Sequence, residues 1–157
     1  MACGPTTVGF GTDPGQTYYV VAFSDTATVG GRLTVTFDEA PPPPEATVTV
    51  DPQATAYKDG SARLTGTYSC TNASDWDSDV DGTLTQQVGR VKITGYFFVN
   101  PLQCDGATHP WEAIAYSDTG LFRGGKAATV AFAWACGAFE CAIGYTEQVV
   151  KVNAGRK

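Results

Sequence analysis

No stretch of a dozen residues in this chain sets apolar side chains at helical spacing without a Gly or Pro interrupting it. That pattern argues against helices and leaves strands to bury the apolar surface. Residues 62–71 show how they do so: Leu64, Gly66, Tyr68 and Cys70 alternate with Arg63, Thr65, Thr67 and Ser69. A period of two sends the first set to a core and the second to solvent. Thr, Ala, Gly and Val dominate the composition, which suits strands and tight turns. The expected fold class is all-β.

Four consecutive prolines, Pro41–Pro44, flanked by Glu39 and Glu45, divide the chain. Such a run forms a stiff, extended polyproline helix and marks a boundary. Before it, residues 6–12, 17–24 and 31–38 carry strand signals, with turns at Asp13-Pro14-Gly15 and Gly30-Gly31. The last alternates Leu33, Val35 and Phe37 with Arg32, Thr34, Thr36 and Asp38. The middle one is apolar on both faces, Tyr19, Val21 and Phe23 against Tyr18, Val20 and Ala22. Three strands cannot enclose a core alone. Residues 1–40 are therefore expected to be a partial β-sandwich segment whose open face is covered by upstream sequence, by the second domain or by another molecule. Where no upstream sequence completes it, self-association through residues 6–38 into a homo-oligomer or a fibre is expected.

After the linker at residues 41–45, strands are expected at 46–50, 62–71, 80–88, 90–99, 111–116, 127–136 and 141–152. Seven strands within residues 46–157 is the size of an immunoglobulin-like antiparallel sandwich. In the strand at 127–136, Val130, Phe132 and Trp134 are expected in the core. The opposite face, Ala127, Ala131, Ala133 and Ala135, is expected to be a smooth outer surface that something else approaches closely.

The spacing of the cysteines fits no common zinc pattern, and His109 is the only histidine. Cys70 and Cys104 lie beside expected strands, and Cys136 and Cys141 flank an expected turn. Two disulfides follow, Cys70–Cys104 and Cys136–Cys141, with Cys3 left over. On the chain-entropy picture they contribute about 4 and about 2 kcal/mol. Disulfides imply an extracellular or cell-surface location. The N-terminus has no charged region leading into an apolar one, so the chain is expected to be a mature product or part of a longer exported one. The net charge is −6 and the basic residues are scattered among acids, which argues against nucleic-acid binding. No apolar run approaches the roughly 20 residues of a membrane span.

Two resemblances agree with this reading. Asp13-Pro14-Gly15-Gln16-Thr17-Tyr18-Tyr19-Val20-Val21, followed by Gly30-Gly31-Arg32-Leu33-Thr34-Val35-Thr36-Phe37, resembles the last strands of a bacterial pre-peptidase C-terminal-type β-sandwich. That family is found beside secreted enzymes and on surface proteins. Gly66-Thr67-Tyr68-Ser69-Cys70, Cys104-Asp105-Gly106 leading through His109 to Trp111, and Cys136 with Cys141 are similar to an uncharacterised immunoglobulin-like domain of secreted bacterial proteins. The second resemblance implies fold and compartment and no chemistry.

Several residues are candidates for a site. In Asp75-Trp76-Asp77-Ser78-Asp79-Val80-Asp81-Gly82, alternate aspartates ending in Gly resemble the first half of a calcium loop, so Asp77, Asp79 and Asp81 are candidate Ca²⁺ ligands. The twelfth position from Asp77, which should hold a bidentate acid, is Val88. The plainer reading is an acidic loop entering a strand on which Asp79 and Asp81 alternate outward. Trp76, Trp111 and Trp134 are candidates for a sugar-stacking platform, but Trp111 opens a short strand and is expected in the core like Trp134, which leaves Trp76, in a polar loop, as the exposed contact for a glycan or protein ligand. His109 precedes Pro110 with no sequence-evident nucleophile, and nothing holds Glu112, Glu140 and Glu147 at a working separation. The expected function is that of a non-catalytic structural or binding module. A carbohydrate-binding module and an accessory domain of a secreted hydrolase are the alternatives.

Overall fold

The computed structural model describes residues 7–23, 32 and 34–155. The chain divides into two compact units, Met1–Ala40 and Pro41–Lys157. Among the described residues there is no helix, and the fold is all-β and sandwich-like.

The eight strands all lie in the second unit. They are β1 (Glu45–Val48), β2 (Gln53–Ala56), β3 (Ala62–Thr71), β4 (Asp79–Val88), β5 (Val91–Val99), β6 (His109–Ala115), β7 (Gly125–Cys136) and β8 (Cys141–Ala154). Hydrogen bonding joins them in the order β1-β3-β2-β8-β7-β4-β5, with β6 on the other edge of β3. One layer is thus β1, β3 and β6, and the other is β8, β7, β4 and β5. Short β2 links them, pairing antiparallel with β3 and parallel with β8. A bridge between Tyr96 and Tyr116 joins the layers at the opposite side.

Seven of the strands fall where the alternation puts them; β2 does not, and its parallel pairing makes the sheet mixed, whereas an antiparallel one was expected. The cause is Pro52. Thr49 and Asp51 still donate to the carbonyls of Thr67 and Thr65, at 2.7 and 2.8 Å. Proline has no N–H to continue that ladder, and its own carbonyl instead accepts from the Lys151 N–H at 2.9 Å, turning the chain towards β8.

The core lies between the layers. On β3, Leu64, Tyr68 and Cys70 are buried, as their alternation requires. On β7 the expectation is reversed: Ala127, Thr129, Ala131, Ala133 and Ala135 are buried, Val130 and Phe132 are only half-buried, and Trp134 is exposed on the outer face. The reason is close approach. Gly144, paired with Ala133, sits where an added Cβ would meet the Thr47 backbone at 2.9 Å. Gly82, paired with Ala131, lies beneath the Phe97 ring, which a Cβ would meet at 2.5 Å. Only small side chains fit on the inner face of β7, so the large ones turn outward.

In the first unit, Asp13–Gly15 form the expected turn, with the Gln16 N–H donating to the Asp13 carbonyl at 3.3 Å. The Phe10 and Tyr18 rings are 5.6 Å apart. None of the described residues 7–23, 32 and 34–40 is in a strand, which corrects the three-stranded expectation there. A strand needs a partner ladder, and here Tyr19, Val21, Phe23 and Phe37 stand 72–89 % exposed. Cys3 and the Gly30-Gly31 turn lie outside the described residues.

Candidate functional site

The pleat gives each layer an outer face, and the two differ in chemistry. On β1 and β3 the outer face is a ladder of hydroxyls. Thr47 bonds Ser69 and Thr49 bonds Thr67, both at 2.7 Å, while Thr65 donates to Asp51 at 2.5 Å. Arg63 pairs with Glu112 of β6 at 3.0 Å. An open depression of about 470 Å³ lies here, lined by Asp51, Thr65, Thr67, Pro110 and Glu112 among others. Both of its acids already have partners.

The outer face of β5-β4-β7-β8 mixes exposed aromatic rings with charged side chains. Its register aligns Phe98, Asp81, Phe132 and Tyr145 in one row across the four strands. On one side of that row stand Asp79, Trp134 and Ile143, and on the other Tyr96, Thr83, Val130 and Glu147. Tyr96 is 70 % exposed, Phe98 63 % and Tyr145 56 %. Tyr96 and Phe98 stand on β5 and Tyr145 on β8, the outer strands of this layer, with Phe132 and Trp134 of β7 between them; large aromatics so open mark a contact surface. The rings are held in place: Phe132 and Tyr145 lie 5.3 Å apart, Trp134 Nε1 donates to Asp81 Oδ1 at 3.2 Å, and Tyr145 Oη donates to Glu147 Oε2 at 2.8 Å. Burial first, and the neighbouring Asp81 second, raise the Asp79 carboxyl above its ordinary pKa. The hydrogen bond to Glu147 raises the Tyr145 phenol.

Of the residues singled out from sequence, Trp134 belongs to this face. Trp76 is 76 % exposed in the turn before β4. That turn is firmly tied: Asn100 Nδ2 donates to the carbonyls of Trp76 and Ser78, Ser78 Oγ donates to the Ser74 carbonyl, and Asp75 Oδ1 accepts from the Cys104 N–H. Trp111 is buried, with Nε1 donating to the Thr49 carbonyl at 2.9 Å, so the three tryptophans do not share a platform. Asp79 and Asp81 are on β4, both outward, and Asp77 is in the preceding turn. Among the described residues no three His, Cys, Asp or Glu side chains stand close enough to hold a metal ion. His109 Nε2 bonds Asp105 Oδ1 at 2.7 Å, and the same oxygen accepts from the Ala107 N–H. This pair shapes the turn before β6.

Tyr96, Phe98, Ile143 and Tyr145 were not singled out from sequence. The available signal was that β5 is apolar on both faces, with Ile93 and Phe97 in phase against Tyr96 and Phe98.

Cys70 is bonded to Cys104, and Cys136 to Cys141. The first ties the end of β3 to the β5–β6 connection and the second closes the β7–β8 hairpin. Two disulfides belong to an oxidising, non-cytoplasmic environment. Among the described residues no helix is long and apolar enough to cross a membrane. These features define an all-β, disulfide-bridged, sandwich-like domain. The chain belongs to DUF6299, a family of unknown function, whose pattern matches residues 44–134. No curated protein matches it.

Proposed function

We propose that this protein is a non-catalytic extracellular module, structural or binding, that works through the outer face of β5-β4-β7-β8. The observation that carries this reading is the set of exposed Tyr96, Phe98, Trp134, Ile143 and Tyr145 on one face of the sheet unit, set against a hydroxyl-laddered opposite face. The immunoglobulin-like reading draws support from β3 pairing with β6 in one layer and β4, β7 and β8 pairing in the other. A second reading, saccharide binding, is favoured by the row Phe98, Asp81, Phe132 and Tyr145, because rings can stack on sugar C–H faces while a carboxylate accepts from hydroxyls.

The test is the pair of substitutions Phe98→Ser and Tyr145→Ser, both on exposed rings. Glycan-array binding and self-association are measured for both proteins. The reading expects whichever activity the wild type shows to be lost in the variant, with the melting temperature changed by no more than a few degrees. Binding that survives both substitutions contradicts it.

A further inference from the structure

Charge is segregated along this same face. The row Phe98, Asp81, Phe132, Tyr145 lies towards one end, with Asp79 beyond it and Glu147 next to it. Three rows further along the strands, where the pleat again turns outward, stand Lys92 on β5, Lys126 on β7 and Lys151 on β8. Lys126 and Lys151 face each other across the ladder, and Lys92 is opposite Gln87. All three lysines are exposed. Among the described residues none of them, and none of Asp79, Asp81 and Glu147, is in an ion pair. One face therefore carries acids among aromatic rings at one end and uncompensated ammonium groups at the other.

We infer that the occupant of this face is a second copy of the same chain, packed face to face about a two-fold axis that lies in the interface and runs across the strands. The inference rests on the reading that this face is the working surface. Symmetry and charge select the axis. A two-fold across the strands reverses their direction, so it sets the row of Phe98, Asp81, Phe132 and Tyr145 on the partner's lysine row, and the partner's aromatic row on these lysines. Each lysine stem then covers a ring while its ammonium meets a ring face and a carboxylate. A two-fold along the strands would set lysines on lysines. A neutral saccharide would use the rings and leave the lysine row idle, so the second copy accounts for more of the face. The area suffices: four strands about 4.8 Å apart, with the four overlapping outward rows about 6.8 Å apart, present roughly 520 Å² per copy. Twice that clears the roughly 1,000 Å² expected of a specific interface.

The experiment is sedimentation equilibrium of the full chain and two charge-reversed variants, with folding of each checked by melting temperature. One variant reverses the acids (Asp81→Lys with Glu147→Lys), the other the bases (Lys126→Glu with Lys151→Glu). The wild type is expected to dimerise, more weakly at high salt. Each variant alone is expected to be monomeric, and the two mixed in equal amounts are expected to form a heterodimer. A local packing defect would not be repaired by mixing. A wild type that stays monomeric at millimolar concentration overturns the dimer. The face reading then still stands if a glycan binds the wild type and fails to bind the Phe98→Ser, Tyr145→Ser protein. A dimer indifferent to both reversals and to those two substitutions overturns the inference and the face reading together.

Discussion

Phe97 of β5 and Trp111 of β6 stack with ring centroids 5.5 Å apart and planes 8° from parallel. Each ring also lies over a glycine directly opposite it in its own ladder, Phe97 over Gly82 and Trp111 over Gly66. The two glycines make room for the rings that lock the layers together.

Gly66→Ala is accordingly expected to be costly. Its Cβ would stand 2.1 Å from the Thr49 carbonyl oxygen and 2.7 Å from Trp111 Nε1, the atoms of the hydrogen bond that holds the indole. Overpacking of this kind costs about 3 kcal/mol. Urea unfolding of the variant measures it; a loss below about 0.5 kcal/mol, the range of ordinary surface changes, would contradict the account.

Reduction should act unequally on the two bridges. Cys70–Cys104 spans 34 residues of sequence and Cys136–Cys141 spans 5. Loop entropy assigns about 4 kcal/mol to the first and about 2 kcal/mol to the second. Replacing both members of each pair by Ser, with denaturant unfolding as the measure, should give a larger loss for the first pair. The reverse order would sink the entropic account.

The pH dependence follows from Asp79 and Asp105, with opposite signs. Asp79 is raised, so between its unfolded and folded pKa the native state holds more protons, and stability falls as pH rises through that window. Asp79→Asn should therefore melt higher than wild type at pH 7, and the gap should close on acidification. The hydrogen bond from His109, then the Ala107 N–H, lowers Asp105, which stabilises the fold above the ordinary carboxyl range and loses that effect as pH falls through the folded value. Asp105→Asn should melt lower at pH 7 and converge with wild type in acid. Gaps that stay constant with pH would show that neither carboxylate is linked to folding.

What the sequence made legible was alternation. Residues 62–71 state their own burial, and the four prolines mark where the sheet unit begins. The faces of β7 were not legible. Hydrophobicity puts Phe132 and Trp134 inside, whereas the space left by Gly144 and Phe97 admits only alanines, and that space is set by strands distant in sequence. The candidate site followed from the same inversion, since turning Phe132 and Trp134 outward puts them on the face that Phe98 and Tyr145 share. At residues 17–23 strand propensity was strong, but propensity without a partner edge forms no ladder.

That segment supplies a further test. Tyr19, Phe23 and Phe37 are exposed on backbone outside any strand, so chymotrypsin should cut after them well before it cuts residues 45–154. Digestion that starts within the sheet unit would contradict the description of the first unit.

The central claim is that a second copy of the chain covers the outer face of β5-β4-β7-β8. Hydroxyl-radical footprinting of the full chain over a thousandfold range of concentration tests it most directly. Labelling of Tyr96, Phe98 and Tyr145 should fall as concentration rises, while Tyr57 and Trp76, exposed elsewhere, should label equally throughout. Tyr96, Phe98 and Tyr145 labelling unchanged at every concentration would contradict it.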